Sequence, residues 1–214
     1  GLRYDAIIAD IRKPENDFAD LYDLKQRFEG NLSGTISIKK AINDKLYYEL
    51  AYGRGTRAAN MAERFINKFN IGQDIYTYTG NPYLKSEVNN QFETGLSGYS
   101  KVKGFINTVH YEGSVYYGLM KNYISAIIDP ALGMKAKRFV NIDNAWKTGV
   151  DLSLKFDFST YFFLKTDFSY IYARNKDLNE SLPLIPPFTA RVATGYENEK
   201  FWLNVNLNLV ATQN

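Results

Sequence analysis

"KTGVDLSLKFDFSTYFFLKTDFSYIYAR", residues 147–174, alternates apolar and polar positions through a hairpin. Val150, Leu152, Leu154, Phe156 and Phe158 point one way in an extended chain, and Asp151, Ser153, Lys155 and Asp157 point the other. After a tight turn the return run repeats the pattern, with Leu164, Phe168, Tyr170 and Tyr172 opposite Lys165, Asp167 and Ser169. A period of two marks strands. The oily face must then look either at a second sheet, as in a soluble sandwich, or at lipid.

The same alternation, broken by turn residues, divides the chain into about nine strands. They cover residues 2–11, 31–41, 45–53 and 90–99, runs within 105–128 and 138–156, then 161–174, 188–196 and 201–210. In the last of these Leu203, Val205, Leu207 and Leu209 alternate with Asn204, Asn206 and Asn208. Several runs reach about 10 residues, against ~5–6 in soluble sheets and ~9–11 for a tilted bilayer crossing. The connections also alternate. "IND", "SKVKG", "DFST" and "ENEK" are tight, whereas residues 12–30, 54–89, 129–137 and 175–187 are long. A meander whose two ends face different surroundings has this form, as in outer-membrane barrels. Aromatic clusters near strand ends (Tyr47, Tyr48 and Tyr52; Tyr161, Phe162 and Phe163) fit interfacial girdles. These features favour lipid for the apolar face and a polar lumen for the other. Nine is an odd number and an open sheet edge cannot lie in hydrocarbon, so the 214 residues are expected to form a segment of a larger antiparallel transmembrane β-barrel.

Composition agrees. Aromatic residues make up 15% of the chain, and Tyr at 17 leads Phe at 14 and Trp at 2, a balance suited to strands and membrane interfaces. A net charge of +3 with no polybasic block gives no case for nucleic acid. The absence of Cys excludes disulfides and thiolate metal sites. No run of about 18 apolar residues marks a transmembrane helix, and barrel strands, half apolar, escape such a search.

Residues 53–58, "GRGTRA", match G-x-G-x-x-A after a strand. A dinucleotide site would need a βαβ unit around that motif. No parallel crossover pattern follows, so the stretch reads as a strand end running into a long loop.

Taken with three other segments, this stretch resembles the carboxy-terminal barrel region of TonB-dependent outer-membrane receptors. The family's "YASYGRGFRAP" type of strand end stands here as "YYELAYGRGTRAANMAERF"; its "GNPxLKPE" as "GNPYLKSE", residues 80–87; its "YVNxxxAxxxGVE" as "FVNIDNAWKTGVDLSLKFDFS"; its "LPxIPPxxxxxxxxY" as "LPLIPPF" and on through Tyr196. The four landmarks come in the family's order and together span more than half of the chain. Ala59 and Ser86 stand where the family commonly has Pro. The resemblance implies that residues 1–214 are part of one barrel domain of about 22 strands around a plugged lumen, in a bacterial outer membrane. The plug domain, the TonB box and the terminal aromatic strand are not found in this sequence. It further implies uptake of a scarce nutrient (a siderophore, haem, cobalamin or copper chelate), energised through the TonB complex by way of the plug, with no covalent chemistry and no cofactor. A structural or adhesive outer-membrane barrel that transports nothing is the alternative.

The candidate ligand-binding residues lie on the long connections and their bases. Arg54 and Arg57 stand where a strand meets its outer loop; they suit either an anionic chelate or the plug, or a solvated balance with carboxylates such as Glu63. Tyr76, Tyr78 and Tyr83, in "GQDIYTYTGNPY", offer contact area with a hydrogen bond, or equally loop packing. His110, the one histidine, shares its face with Glu112, too few ligands for a selective metal site, and reads as a wet lumen residue; no metal ligands are assigned. Met61, Met120 and Met134 have the thioethers that Cu(I) favours but are scattered as packing residues are. The sequons at Asn31 and Asn179 read as coincidence.

Overall fold

A computed structural model of the chain describes residues 1–72, 74–158, 161–183 and 185–212. Its strands are β1 (Leu2–Ala9), β2 (Arg27–Asn43), β3 (Leu46–Arg57), β4 (Thr77–Thr79), β5 (Glu87–Lys101), β6 (Thr108–Ile128), β7 (Ala136–Asp157), β8 (Phe162–Asn175), β9 (Glu180–Ser181), β10 (Thr189–Glu197) and β11 (Trp202–Val210). Two short helices, α1 (Asn16–Ala19) and α2 (Met61–Phe65), and a 3-10 turn at Pro130–Leu132 lie between them.

The nine expected strands form one antiparallel meander in the order β1-β2-β3-β5-β6-β7-β8-β10-β11. The two extra strands belong to the loops: β4 runs parallel to the start of β7, and β9 folds back on the end of β8. The stretch "GRGTR" continues β3 in its antiparallel ladder with β5 as far as Arg57, so it has no crossover helix to bind a dinucleotide. Sequence bounds fell short mainly at the long-loop end, where β2 starts at Arg27 rather than Asn31, β3 runs to Arg57 rather than Gly53, and β5 starts at Glu87 rather than Asn90; β6 and β7, 21 and 22 residues long, lie within or close to the expected 105–128 and 138–156.

Register assigns the faces. Cross-strand partners share a face and neighbours alternate. Leu152 pairs with Gly113 and Phe168, Val150 with Val115 and Tyr170, and from there the set extends to Thr94, Leu50 and Ile38 in one direction. In the other it extends through Ala190 to Leu209. This continuous apolar face carries Ile36, Phe92, Leu152, Leu203 and Leu207, each 39–65% exposed. No second sheet covers it among the described residues. So large an uncovered apolar surface is untenable in water and ordinary against acyl chains.

Two aromatic belts bound that face. Tyr52 and Phe92, then Tyr117, Trp146 and Tyr172, line the edge near the long loops with ring centroids 4.9–5.9 Å apart. Phe162, Tyr196 and Phe201 cluster near the tight turns. From Phe162 to Tyr172 is ten residues of β8, about 33 Å of strand; at the usual tilt that spans roughly 23 Å, close to the ~25 Å apolar band of outer-membrane barrels. Tyr47 is not part of a girdle, contrary to the sequence expectation: it pairs with Ser97 on the polar face and lies under the Lys39 ammonium, 5.4 Å from the ring centre. Phe163 likewise turns inward, over Gly195.

The polar face carries Glu49, Glu93, Glu112, Asp151, Asp167 and Arg191. Neighbouring groups neutralise one another, as in Lys165 with Asp167 and Lys155 with Asp157. Gly149 fits here because the Tyr116 phenol lies over it, 2.2–2.8 Å from where a Cβ would stand.

Among the described residues, the clusters of buried apolar side chains lie at the long-loop end. Leu84 is fully buried with Ala59 and Ile124 against Phe139. Leu182 is buried with Ala145 and Ala173 against Met120, Tyr123, Ile142 and Ile185. Here the loops fold onto the extensions of β6 and β7 rather than trailing into solvent.

Candidate functional site

The loop of residues 58–86 starts with a local signal. Asn60 caps α2 and closes a capping box with Glu63: Glu63 N–H donates to Asn60 Oδ1 at 2.8 Å and Asn60 N–H to Glu63 Oε2 at 2.8 Å. That turn carries Arg64 into the interior, where its side chain is 1% exposed. The guanidinium donates to the Ala59 carbonyl (3.2 Å), the Pro82 carbonyl (3.1 Å) and Glu29 Oε1 on β2 (2.6 Å). The other Glu29 oxygen accepts from Ser86 Oγ at 2.6 Å. Arg64 thereby staples both ends of the loop to the barrel wall. Gly80 is required at this staple, since a Cβ there would sit 2.5–2.6 Å from backbone atoms of Arg64 and Phe65.

The "GNPYLKSE" and "FVN" landmarks clasp each other. Asn141 Oδ1 accepts from Lys85 N–H at 2.8 Å, and its amide donates to the carbonyls of Lys85 (3.0 Å) and Asn122 (2.8 Å). Leu84 fills the pocket beside this clasp, and Leu182 of "LPLIPPF" fills the neighbouring one.

The five candidate residues fall in separate places on this platform. Arg57 donates to Glu87 Oε2 at 2.6 Å and to both Glu63 oxygens at 2.9–3.0 Å; its charge is committed to protein carboxylates. Arg54 shares the outward face with Tyr52, donating to the Leu32 carbonyl at 3.2 Å and to Asn90 Oδ1 at 3.3 Å. Tyr76 and Tyr78 form one cluster with Asp74 and Lys137. The Lys137 ammonium lies 4.6 Å from the Tyr76 ring centre and 5.5 Å from that of Tyr78, and it donates to Asp74. Tyr78, 4% exposed, donates its hydroxyl to Asp74 Oδ2 at 2.9 Å. The hydrogen bond from Lys137 holds the Asp74 carboxyl below the usual carboxylate range, whereas burial raises the Tyr78 phenol.

Tyr83, 43% exposed, stands apart beside Tyr22, edge to face at 5.9 Å, with the Arg27 guanidinium 5.6 Å from its ring. Its hydroxyl donates to the Asp23 carbonyl, and that of Tyr22 donates to the Gly80 carbonyl at 2.8 Å. The cluster of Tyr76 and Tyr78 and the pair of Tyr22 and Tyr83 therefore flank the stapled loop. Sequence reasoning missed Arg64, Glu29, Asn141 and Tyr22; the N-x-x-E spacing of Asn60 and Glu63 was the one available signal, since it predicts a helix start and hence a turn that buries Arg64.

His110 lies on the polar face as expected, but its Nε2 contacts Asp157 Oδ2 at 3.0 Å, and its ring packs on Tyr99 rather than joining Glu112. Met61 is exposed on α2, Met134 is exposed on the β6–β7 connection, and Met120 packs under Leu182.

The chain has no match among curated proteins. Among solved structures, a copper transporter, OprC, superposes over 100% of this chain and 32% of its own, with a TM-score of 0.77 at 21% identity. A double mutant of the Serratia marcescens hemophore receptor HasR, in complex with its hemophore HasA and heme, superposes over 99% of this chain and 39% of its own, with a TM-score of 0.66 at 14% identity. The siderophore receptor PirA from Pseudomonas aeruginosa superposes over 86% of this chain and 32% of its own (TM-score 0.58, 14% identity). The chain thus spans about a third of the length of these structures. The model of the family described as "TonB dependent receptor-like, beta-barrel" matches residues 1–214. With the meander, the two-faced strands and the stapled loops, that match over the whole chain makes this protein a member of the TonB-dependent receptor β-barrel family.

Proposed function

We propose that the chain forms part of the wall and outer rim of a bacterial outer-membrane receptor that takes up a scarce nutrient as a metal chelate. TonB would supply the energy through a plug domain. Members of this family are transporters rather than enzymes, and the solved neighbours include a copper transporter, a siderophore receptor and a hemophore receptor. The observation that carries the reading is the fixed platform of long loops at one end of the polar face. There Tyr76 and the half-exposed Tyr83 present ring surface beside Lys137 and Arg27. Cation-flanked tyrosines suit a compact anionic chelate, because the rings supply contact area and the cations offset its charge. In this reading Tyr78, Arg57 and Arg64 hold the loop in place. Arg54, on the outward face, supports the rim.

The test uses the full-length receptor purified from its native membrane, with its bound metal and chelate analysed, and growth of a deletion strain under iron, copper or cobalamin limitation. A co-purifying chelate whose metal matches the limitation phenotype supports the proposal. Normal growth under every limitation with no chelate bound overturns it in favour of a structural or adhesive barrel.

A further inference from the structure

We propose that Lys121 and Arg174, on either side of Trp146 on the outward face, hold the phosphorylated headgroup of a membrane lipid in the leaflet next to the long loops. The argument begins with the sorting of charge. Every carboxylate of the meander strands lies on the polar face among the described residues, including Glu49, Glu93, Glu112, Asp151 and Asp167. Among the described residues the charged groups that the strands place on the outward face are all cations: Lys40 near the tight turns, and Arg54, Lys121, Arg174 and, beyond the band, Arg138 near the long loops; Arg138 is matched by Asp129 of the β6–β7 connection at 2.8 Å. A lumen that balances its own charges does not produce this. Cations at the edge of an apolar band do have a physical use, since they reach the headgroup layer and attract anionic lipid.

Two of these cations form a site. Arg174 is the register partner of Trp146, and Lys121 is the partner of Asn144, two residues from Trp146 on the same face. Lys121 and Arg174 are two strands apart, roughly 10–12 Å, a span suited to one headgroup with more than one anionic group. Below them Trp146 is stacked on Tyr117 (5.9 Å, 28°) and packs against Tyr172 (5.6 Å), an interfacial floor continuous with the acyl-facing band. The charges are available. Lys121 is exposed, and neither cation has a carboxylate within ion-pair distance among the described residues. Arg174 spends one nitrogen on the Asn179 carbonyl (2.7 Å), while its Nε is shielded from solvent and has no acceptor. Of the two carboxylates next to Arg174, Asp177 accepts from the backbone and side-chain amides of Asn144, and Glu180 sits on β9 opposite Asn175 without an ion pair to Arg174.

The experiment titrates the detergent-purified full-length receptor with lipid A, with phosphate-free lipid A and with inorganic phosphate, and reads bound lipid by native mass spectrometry. Lipid A is expected to bind more tightly than its phosphate-free form. Lys121→Gln or Arg174→Gln should weaken binding about fivefold each, and the pair roughly thirtyfold. Arg174→Lys should keep most of the affinity, and Lys40→Gln, at the other edge, should change nothing. Band shifts between heated and unheated samples establish that each variant is a folded barrel. The comparison of the two lipid forms on the unaltered receptor stands even if a variant fails that check. Equal binding of the phosphate-free lipid, an unchanged double variant, or displacement by inorganic phosphate at matching concentration would each overturn the proposal. Nutrient uptake reports separately on the function proposed above.

Discussion

Removing Arg64 should release the loop of residues 58–86 without unfolding the sheet. In Arg64→Ala, Glu29 keeps its contact with Ser86 but loses its cation at 2.6 Å, and the carbonyls of Ala59 and Pro82 lose a donor. Breaking a buried pair by deleting one partner costs about 3–5 kcal/mol. Glu29 retains 13% side-chain exposure, which places the cost near the low end, about 3 kcal/mol, or roughly a hundredfold in a local opening equilibrium. The cost falls on the loop because, among the described residues, Glu29 is the one wall residue to which Arg64 hydrogen-bonds. Hydrogen exchange on the full-length receptor reads this directly. The amides of Gly80 (to Ile66 O, 2.7 Å), Asn81 (to Glu63 O, 2.9 Å) and Phe69 (to Tyr78 O, 3.1 Å) should exchange about a hundredfold faster, while those of β7 and β8 hold. Arg64→Met combined with Glu29→Leu should recover most of the protection, because replacing both ions by apolar groups removes the stranded charge. Wild-type protection of these three amides in Arg64→Ala would refute the staple.

Three further perturbations follow from the same geometry. Gly80→Ala forces a methyl against the Arg64 and Phe65 backbone and should raise protease cleavage within residues 58–86 to the level of Arg64→Ala; an uncut loop would contradict the close approach. Asp74 is held in its charged form mainly by Lys137, so its contribution is complete above the ordinary carboxylate pKa of 3.8 and fades as pH falls below it. Exchange at Tyr78 N–H should therefore accelerate, beyond the intrinsic pH effect, only in that acid range, and Asp74→Asn should show the fast rate at neutral pH. Leu152→Arg places a cation in the middle of the apolar band and should cost about 2–4 kcal/mol of barrel stability in lipid. Ser153→Arg, one residue on and facing the lumen, should cost under about 1 kcal/mol, measured by denaturant unfolding in vesicles; equal costs would mean that the faces are misassigned.

Most of the sheet was legible because lipid and lumen impose a strict period of two over long runs. Leu203 to Leu209 and Val150 to Phe158 announce both the strand and its oily face. Legibility failed where a side chain's partner is far away in sequence. Tyr47 reads as one more interfacial tyrosine until the register puts it opposite Ser97. Arg57 could be matched to Glu63, six residues on, from sequence alone, but its second carboxylate, Glu87, is 30 residues away and closes on it only in the fold. Arg64 sits in a stretch that nothing but the capping spacing of Asn60 and Glu63 distinguishes, and its acceptor Glu29 is 35 residues away. The long-loop ends of β2, β3 and β5 were underestimated for a related reason: there the alternation lapses at "GRGTR" and "EVN", yet pairing continues out to Arg57 and Glu87.

The four landmarks that resemble the family converge on one kind of task. "GRGTRA" carries Arg57, which reaches Glu87 of "GNPYLKSE"; that segment's Lys85 is gripped by Asn141 of "FVN"; and Leu182 of "LPLIPPF" is buried over Ala145 and Ala173. Each fastens a loop to the extended wall, and none of these atoms is free to meet a ligand. The exposed Tyr83 and the partly buried Tyr76 lie between the fastenings, Tyr83 three residues from the Gly80 contact and Tyr76 one residue from β4. A loop pinned at both ends can change its intervening side chains at little cost to the barrel, since the lost contacts are confined to the loop. Resemblance in such a chain reports the fastenings, and selectivity belongs to the residues suspended between them. Exchanging the segment around Tyr76 while keeping Arg64, Gly80 and Asn141 should therefore alter what is bound and leave the barrel intact.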